Sequence, residues 1–167
     1  MKRSPTSWLI SLLLGIVLTF CMAITTFAAD FNDVSESGWY YTAVDFVKEK
    51  NLMDGTGEGN FEPETPMTRA MLVTVLHRIE GSPLVPGNGG FSDVSEGSYY
   101  TSAVAWAEAN QIVTGLGNRN FSPNSLITRE QFATILYRYA VEKKYDTSAY
   151  IPFDGYADAT QVSSYAK

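Results

Sequence analysis

The chain has 167 residues, 45% of them hydrophobic and 18% charged, a globular composition that excludes a disordered or fibrous protein. Its 18 acids outweigh its 12 lysines and arginines, giving a formal net charge of −6. That balance argues against nucleic acid and anionic lipid as partners, while leaving room for an anionic ligand held locally by a few arginines.

Residues 1–29 read as a secretory signal peptide. Lys2 and Arg3 supply the positive start, residues 8–27 form an uncharged and mostly apolar run, and Thr26-Phe27-Ala28-Ala29 offers small residues for cleavage. The alternative is a retained membrane anchor, since the run approaches spanning length. Cys21, the only cysteine, lies within this segment; a lipoprotein would need a small residue before it, and Phe20 is bulky. Cleavage after Ala28 or Ala29 leaves no cysteine, hence no disulfide, and no second membrane-length run. It also leaves 10 bases against 18 acids, a net charge of about −8.

Residues 30–82 form the first copy of a repeated unit. Tyr40, Ala43, Val44 and Val47 follow the i, i+3, i+4, i+7 spacing of one apolar helix face. Ser35 is a candidate N-cap just before it, as is Asp33, whose carboxylate suits the positive end of a helix dipole. The glycine-rich stretch within residues 51–72 comes next, and it raises three readings: a calcium loop, a phosphate cradle or a carbohydrate site. As an EF-hand it has oxygens at Asp54, Thr56 and Glu58, but the twelfth position is Thr65 rather than Glu. As a nucleotide loop it lacks Gly-Lys-Ser/Thr and a preceding strand. Phe61 then reads as a plug into the core, and Pro63 as a stiffener before the second helix.

That helix is expected to start at Thr68, with Leu72, Val75, Leu76 and Ile79 as its apolar face. Thr68 caps it simply, because Met71 does not complete a capping box. Arg69 follows in the first turn. A cation is unfavourable at that end of a helix dipole unless its guanidinium grips an anion. The anion is either an external ligand or a neighbouring Asp or Glu. His77 reads as a helix-surface residue.

Residues 83–90 are a turn-rich linker, and residues 91–142 repeat the unit sixty positions on with no gap. Phe31, Asp33, Val34, Ser35 and Glu36 return as Phe91, Asp93, Val94, Ser95 and Glu96. Gly55, Gly57, Asn60, Phe61 and Pro63 return as Gly115, Gly117, Asn120, Phe121 and Pro123. Thr68, Arg69 and Arg78 return as Thr128, Arg129 and Arg138. Asp93 and Ser95 are therefore candidate caps too, and Thr128 with Gln131 fits a full capping box. Phe132, Ile135, Leu136 and Tyr139 repeat the apolar face, and Phe46 and Trp106 share a column that reads as core. The acids are not repeated: Asp54 becomes Thr114, Glu58 becomes Asn118, and Glu62 and Glu64 become Ser122 and Asn124. Backbone chemistry recurs and charged oxygens do not, which disfavours calcium and paired-carboxylate hydrolysis. Residues 143–155 are a second linker. A third copy begins at Tyr156-Ala157-Asp158 and runs to 167, with Asp158 in the column of Asp33 and Tyr165 in that of Tyr40.

The expected fold class is therefore mainly all-α, built from repeated helix–loop–helix units. Taken together, Phe-x-Asp-Val, the aromatic pairs Trp39-Tyr40 and Tyr99-Tyr100, Gly-x-Gly, Asn-Phe-x-Pro and the Thr-Arg pairs resemble the S-layer homology module of bacterial surface proteins. The resemblance covers residues 31–167. It implies three modules closing into a pseudo-threefold helical bundle, with first helices at the centre and grooves between modules. It implies a non-catalytic role without cofactor or metal, in a protein secreted to the cell wall. The partner implied is a secondary cell-wall polymer linked to peptidoglycan, often ending in a pyruvylated sugar, with no membrane contact once the signal is removed. The implied ligand contacts are Arg69 and Arg129, with Thr68, Thr128, Gly55, Gly57, Gly115, Gly117, Trp39 and Tyr99 along the grooves. Two departures stand out. The usual Thr-Arg-Ala-Glu reads Thr68-Arg69-Ala70-Met71 and Thr128-Arg129-Glu130-Gln131, and the third module has no second helix, glycine loop or Thr-Arg, which fits either a fragment of a longer reading frame or a degenerate protein that a partner chain completes. Two other roles fit the same residues: an assembly protein whose grooves meet another protein, and the anchor of a longer surface enzyme.

Overall fold

The computed structural model describes residues 31–149 and 155–166. Residues 1–29, read above as a signal peptide, lie outside the described residues together with Cys21, as does part of the second linker. Among the described residues no helix is long and apolar enough to cross a membrane.

Among the described residues four α-helices carry the fold: α1 (Tyr41–Glu49), α2 (Arg69–Ile79), α3 (Thr101–Ala109) and α4 (Arg129–Glu142). Two 3₁₀ turns, Ala159–Gln161 and Ser164–Ala166, follow in the third copy. The fold is thus mainly helical, with a helix–loop–helix in each of the two full copies.

The packing unit straddles the sequence unit. Helix α2 of the first copy packs on α3 of the second, and α4 packs on the last 3₁₀ turn. The main core joins Leu72, Val73 and Leu76 of α2 to Ala103, Val104 and Trp106 of α3, with Ile112, Phe121 and Ile135 around them. Val34 and Val44 form a separate small cluster with Phe31, Tyr40 and Phe61. Phe46 is consequently 54% exposed and Trp106 only 6%, although they share a column. Trp106 lies under α2, and no described helix covers α1. His77 is not a surface residue either: it is buried, its ring centroid 5.4 Å from that of Trp106. Its Nε2 donates to the Pro83 carbonyl at 2.9 Å and so ties the linker to the core. The buried face of α2 runs through Val73 and His77, while Ile79 is half exposed.

Helix starts differ from expectation in the first helices. Tyr40 and Tyr100 hold the N-cap positions of α1 and α3 and make no side-chain cap. Asp33 and Asp93 cap nothing there. Their carboxylates reach 28 residues on. Asp33 accepts from the N–H groups of Phe61 (2.8 Å) and Glu62 (2.6 Å), and Asp93 from those of Phe121 (2.8 Å) and Ser122 (2.7 Å). The first of these bonds, from Phe61, holds the Asp33 carboxyl below its ordinary pKa. The reason is geometric: a turn over residues 35–40 separates each aspartate from the helix that follows, and Ser35 spends its hydroxyl on the N–H of Ser37 in that turn. Asp158 precedes a 3₁₀ turn, but its backbone carbonyl, not its side chain, takes the Gln161 N–H.

The second helices start as the threonines predict. Thr68 accepts from Met71 N–H at 3.2 Å and Thr128 from Gln131 N–H at 3.3 Å. The box at Thr68 is nevertheless complete, because Met71 Sδ accepts the Thr68 N–H at 3.4 Å. A thioether is a weak acceptor, and here it takes the place of a carboxylate.

Candidate functional site

The glycine turns set the site's walls. In the second copy Leu116 N–H bonds the Asn120 carbonyl and Asn120 N–H bonds that of Gly117, both at 2.8 Å. Gly115 has φ +72°, and a Cβ there would stand 2.7 Å from both the Asn120 carbonyl and the Phe91 ring. Only glycine fits. The Phe121 side chain is fully buried and its ring centroid lies 5.6 Å from that of Phe91, so the turn rests on a rigid floor. Phe61 is only partly buried, 5.3 Å from Phe31.

Onto this floor comes the start of α2 from the other copy. Arg69 and Ala70 N–H donate to the Ser125 and Pro123 carbonyls, each at 3.0 Å, and Ile127 N–H donates to Met67 at 3.1 Å. Two of the free amides expected at this helix start are thus occupied by the second copy, and the Met71 amide by Thr68. What remains for a ligand is the side chain. Arg69 is 4% exposed, its guanidinium carbon 4.8 Å from the centre of the Phe121 ring. Its Nε donates to the Phe121 carbonyl at 2.9 Å, and no described residue accepts from its terminal Nη groups. Burial pulls its pKa down from the ordinary value, opposed by the nearby Tyr165 and Asp93. An arginine nonetheless stays charged at neutral pH.

A cavity of about 290 Å³ opens beside it. Its lining joins all three copies: Arg69 from the first, Tyr165 from the third, and Val113, Thr114, Gly115, Leu116, Gln131, Thr134, Ile135 and Arg138 from the second. No carboxylate of the described residues lines it. Arg138 Nη1 donates to Thr114 Oγ1 at 3.3 Å. Tyr165, a lining residue, is held by Glu130, which accepts from its hydroxyl at 2.7 Å and from Ser163 N–H at 3.0 Å. The Tyr165 bond, more than the Ser163 one, depresses the Glu130 pKa. Glu80, the C-cap of α2, accepts from Tyr139 Oη of α4 at 2.6 Å and from Nζ of Lys143, the C-cap of α4, at 2.5 Å, and so ties the ends of the two helices together.

The structure thus brings together Arg69 and Gly115 among the residues singled out in the sequence. Thr68 and Thr128 shape the helix starts beside them. Gly55 and Gly57 form the matching turn of the first copy; Gly117 sits in the second turn outside the cavity lining. Trp39 (93% exposed) and Tyr99 (62%) stand on the surface edge-on to Tyr40 and Tyr100, away from the cavity. Arg129 is exposed, and its side chain has no hydrogen-bond or ion-pair partner among the described residues. Neither Thr-Arg arginine is therefore locked in an internal ion pair. Sequence reasoning missed Arg138 and Tyr165. Arg138 gave a signal, since Arg78 and Arg138 recur while the acid opposite, Asp54, becomes Thr114.

The fold and site together define a repeated helical module with an arginine-walled groove where its copies meet. The S-layer homology domain model matches residues 30–70 and 90–133, and the chain belongs to that family. It is a cell-surface anchoring module. It is 33% identical over 107 residues to the S-layer protein sap of Bacillus anthracis, covering 64% of this chain and 13% of that one. It is 31% identical over 143 residues to the surface-layer 125 kDa protein of Lysinibacillus sphaericus, covering 84% of this chain and 12% of that one. It is 28% identical to the exoglucanase XynX of Acetivibrio thermocellus over 82% of this chain and 12% of that enzyme. The chain thus spans about an eighth of the length of these relatives.

Proposed function

We propose that the chain holds to the bacterial wall by binding an acidic saccharide of a secondary cell-wall polymer in the groove beside Arg69. The observation that carries this reading is the state of that guanidinium: nearly buried, bonded through Nε alone, and next to a cavity without a carboxylate. A cation taken out of water is costly unless an anion completes its hydrogen bonds. A sugar carboxylate, such as that of a pyruvate ketal, would supply the acceptor. Thr114, Gln131, Thr134 and Tyr165 offer partners for sugar hydroxyls, and Val113, Leu116 and Ile135 an apolar wall for a ring face. Residues 1–29, read as a signal, would deliver the chain to the surface. The surface-layer relatives support the same location. We extend the reading to Arg129, which would take the place Arg69 holds once a further helix–loop–helix unit, from this chain or a partner chain, closed a pseudo-threefold ring.

Sedimentation with purified Gram-positive walls tests the proposal. The chain is expected to pellet with intact walls and to stay in solution once the secondary polymer is stripped off. Arg69→Ala combined with Arg129→Ala should lower the pelleted fraction at least about tenfold, the scale of a charge-assisted bidentate contact. Arg69→Lys, which keeps the charge, controls for folding. Unchanged pelleting of the double variant would reject the assigned role.

A further inference from the structure

The two glycine turns carry the same arginine in opposite electrostatic states. In the first copy Arg78 Nη2 lies 2.5 Å from the Asp54 carboxylate, and its Nη1 donates to the Leu52 carbonyl at 3.1 Å. That guanidinium is neutralised and committed. In the second copy Thr114 replaces Asp54, and Arg138 has one hydroxyl 3.3 Å away and no ion-pair partner among the described residues. Arg138 also lines the cavity that Arg69 lines, and Arg78 does not.

We propose that Arg138 is the second cation of the groove, and that threonine at position 114 is the determinant that leaves it available. The inference rests on the groove being the saccharide site. It adds that the ligand's compact anion, a carboxylate or a phosphate ester on a sugar, is addressed by guanidiniums from two different copies, one from each wall. Two oxygens of one anion can each accept from a separate arginine fork, and no carboxylate of the described residues lines the cavity itself. The turn of the first copy, with its aspartate, is the version switched off. One anion is therefore bound in the groove that Arg69 and Arg138 share.

The test is calorimetric titration with the methyl glycoside of a 4,6-O-(1-carboxyethylidene) hexose, with a hexose 6-phosphate in parallel to separate carboxylate from phosphate. Thr114→Asp should place a carboxylate on Arg138 as Asp54 lies on Arg78, and should weaken binding about tenfold or more. Arg138→Gln should do the same. Asp54→Thr should bind within about twofold of the parent at one ligand per chain, because position 54 lies outside the groove. Thr114→Asp alters an exposed turn position, and a melting temperature equal to the parent's would show the fold intact. Parent-like binding by Thr114→Asp and Arg138→Gln, with loss in Arg69→Ala, overturns this proposal and leaves the wall-binding reading standing. A parent chain that takes up neither sugar overturns both.

Discussion

Phe121→Ala is expected to destabilise the chain by about 3–5 kcal/mol, and Phe61→Ala by well under half of that. Both side chains follow a glycine turn at the same place in their copies. Phe121 has no exposed surface, stacks against Phe91, and carries the Arg69 guanidinium on its face. Its removal opens a cavity in the main core and takes away the floor of the groove. Phe61 belongs to the small outer cluster of Val34 and Val44, and the site can relax toward solvent. Chemical denaturation of the two variants, with unchanged dependence on denaturant, measures the difference. Equal losses would mean that the core is divided evenly between the copies, contrary to the packing of α2 on α3.

Asp93→Ala should cost about 2–4 kcal/mol, because two charge-assisted bonds to the Phe121 and Ser122 amides are lost and those amides are left without acceptors. Ser95→Ala should cost less than about 0.5 kcal/mol, since the serine side chain caps no helix. The comparison separates a clamp from a cap. A helix cap would show as fraying of α3, whereas the clamp predicts loss of amide-exchange protection at residues 121–122. Fraying of α3 with those amides still protected would return Asp93 to the capping role.

The same pair of residues shows how far the sequence reaches. A serine or aspartate a few positions before an apolar helical face is a sound cap signal, because capping is local. Here a turn ending at Tyr40 or Tyr100 displaces the helix start, and the aspartate bonds across 28 residues instead. No spacing rule sees such a partner. The Thr68 and Thr128 caps were legible because donor and acceptor lie three residues apart. The repeat, the helices and the family were legible for the same reason. Which copy packs on which was not: Trp106 and Phe46 are aligned, and only the cross-copy docking of α2 buries one and exposes the other. The site was half visible. Arg69 could be singled out by its awkward place on the helix dipole, but its groove is completed by Arg138 and Tyr165, which are brought there by tertiary contact. Trp39 and Tyr99, aromatic and repeated, looked like groove residues; they stand on the surface beside the first helices.

The most direct measurement is the nitrogen-15 spectrum of the arginine side chains during addition of the ketal-bearing sugar. The account predicts that Arg69 Nη and Arg138 signals move and slow their exchange with water as the groove fills, while the paired Arg78 stays put. Saturating sugar that leaves the Arg69 and Arg138 signals in place would contradict it.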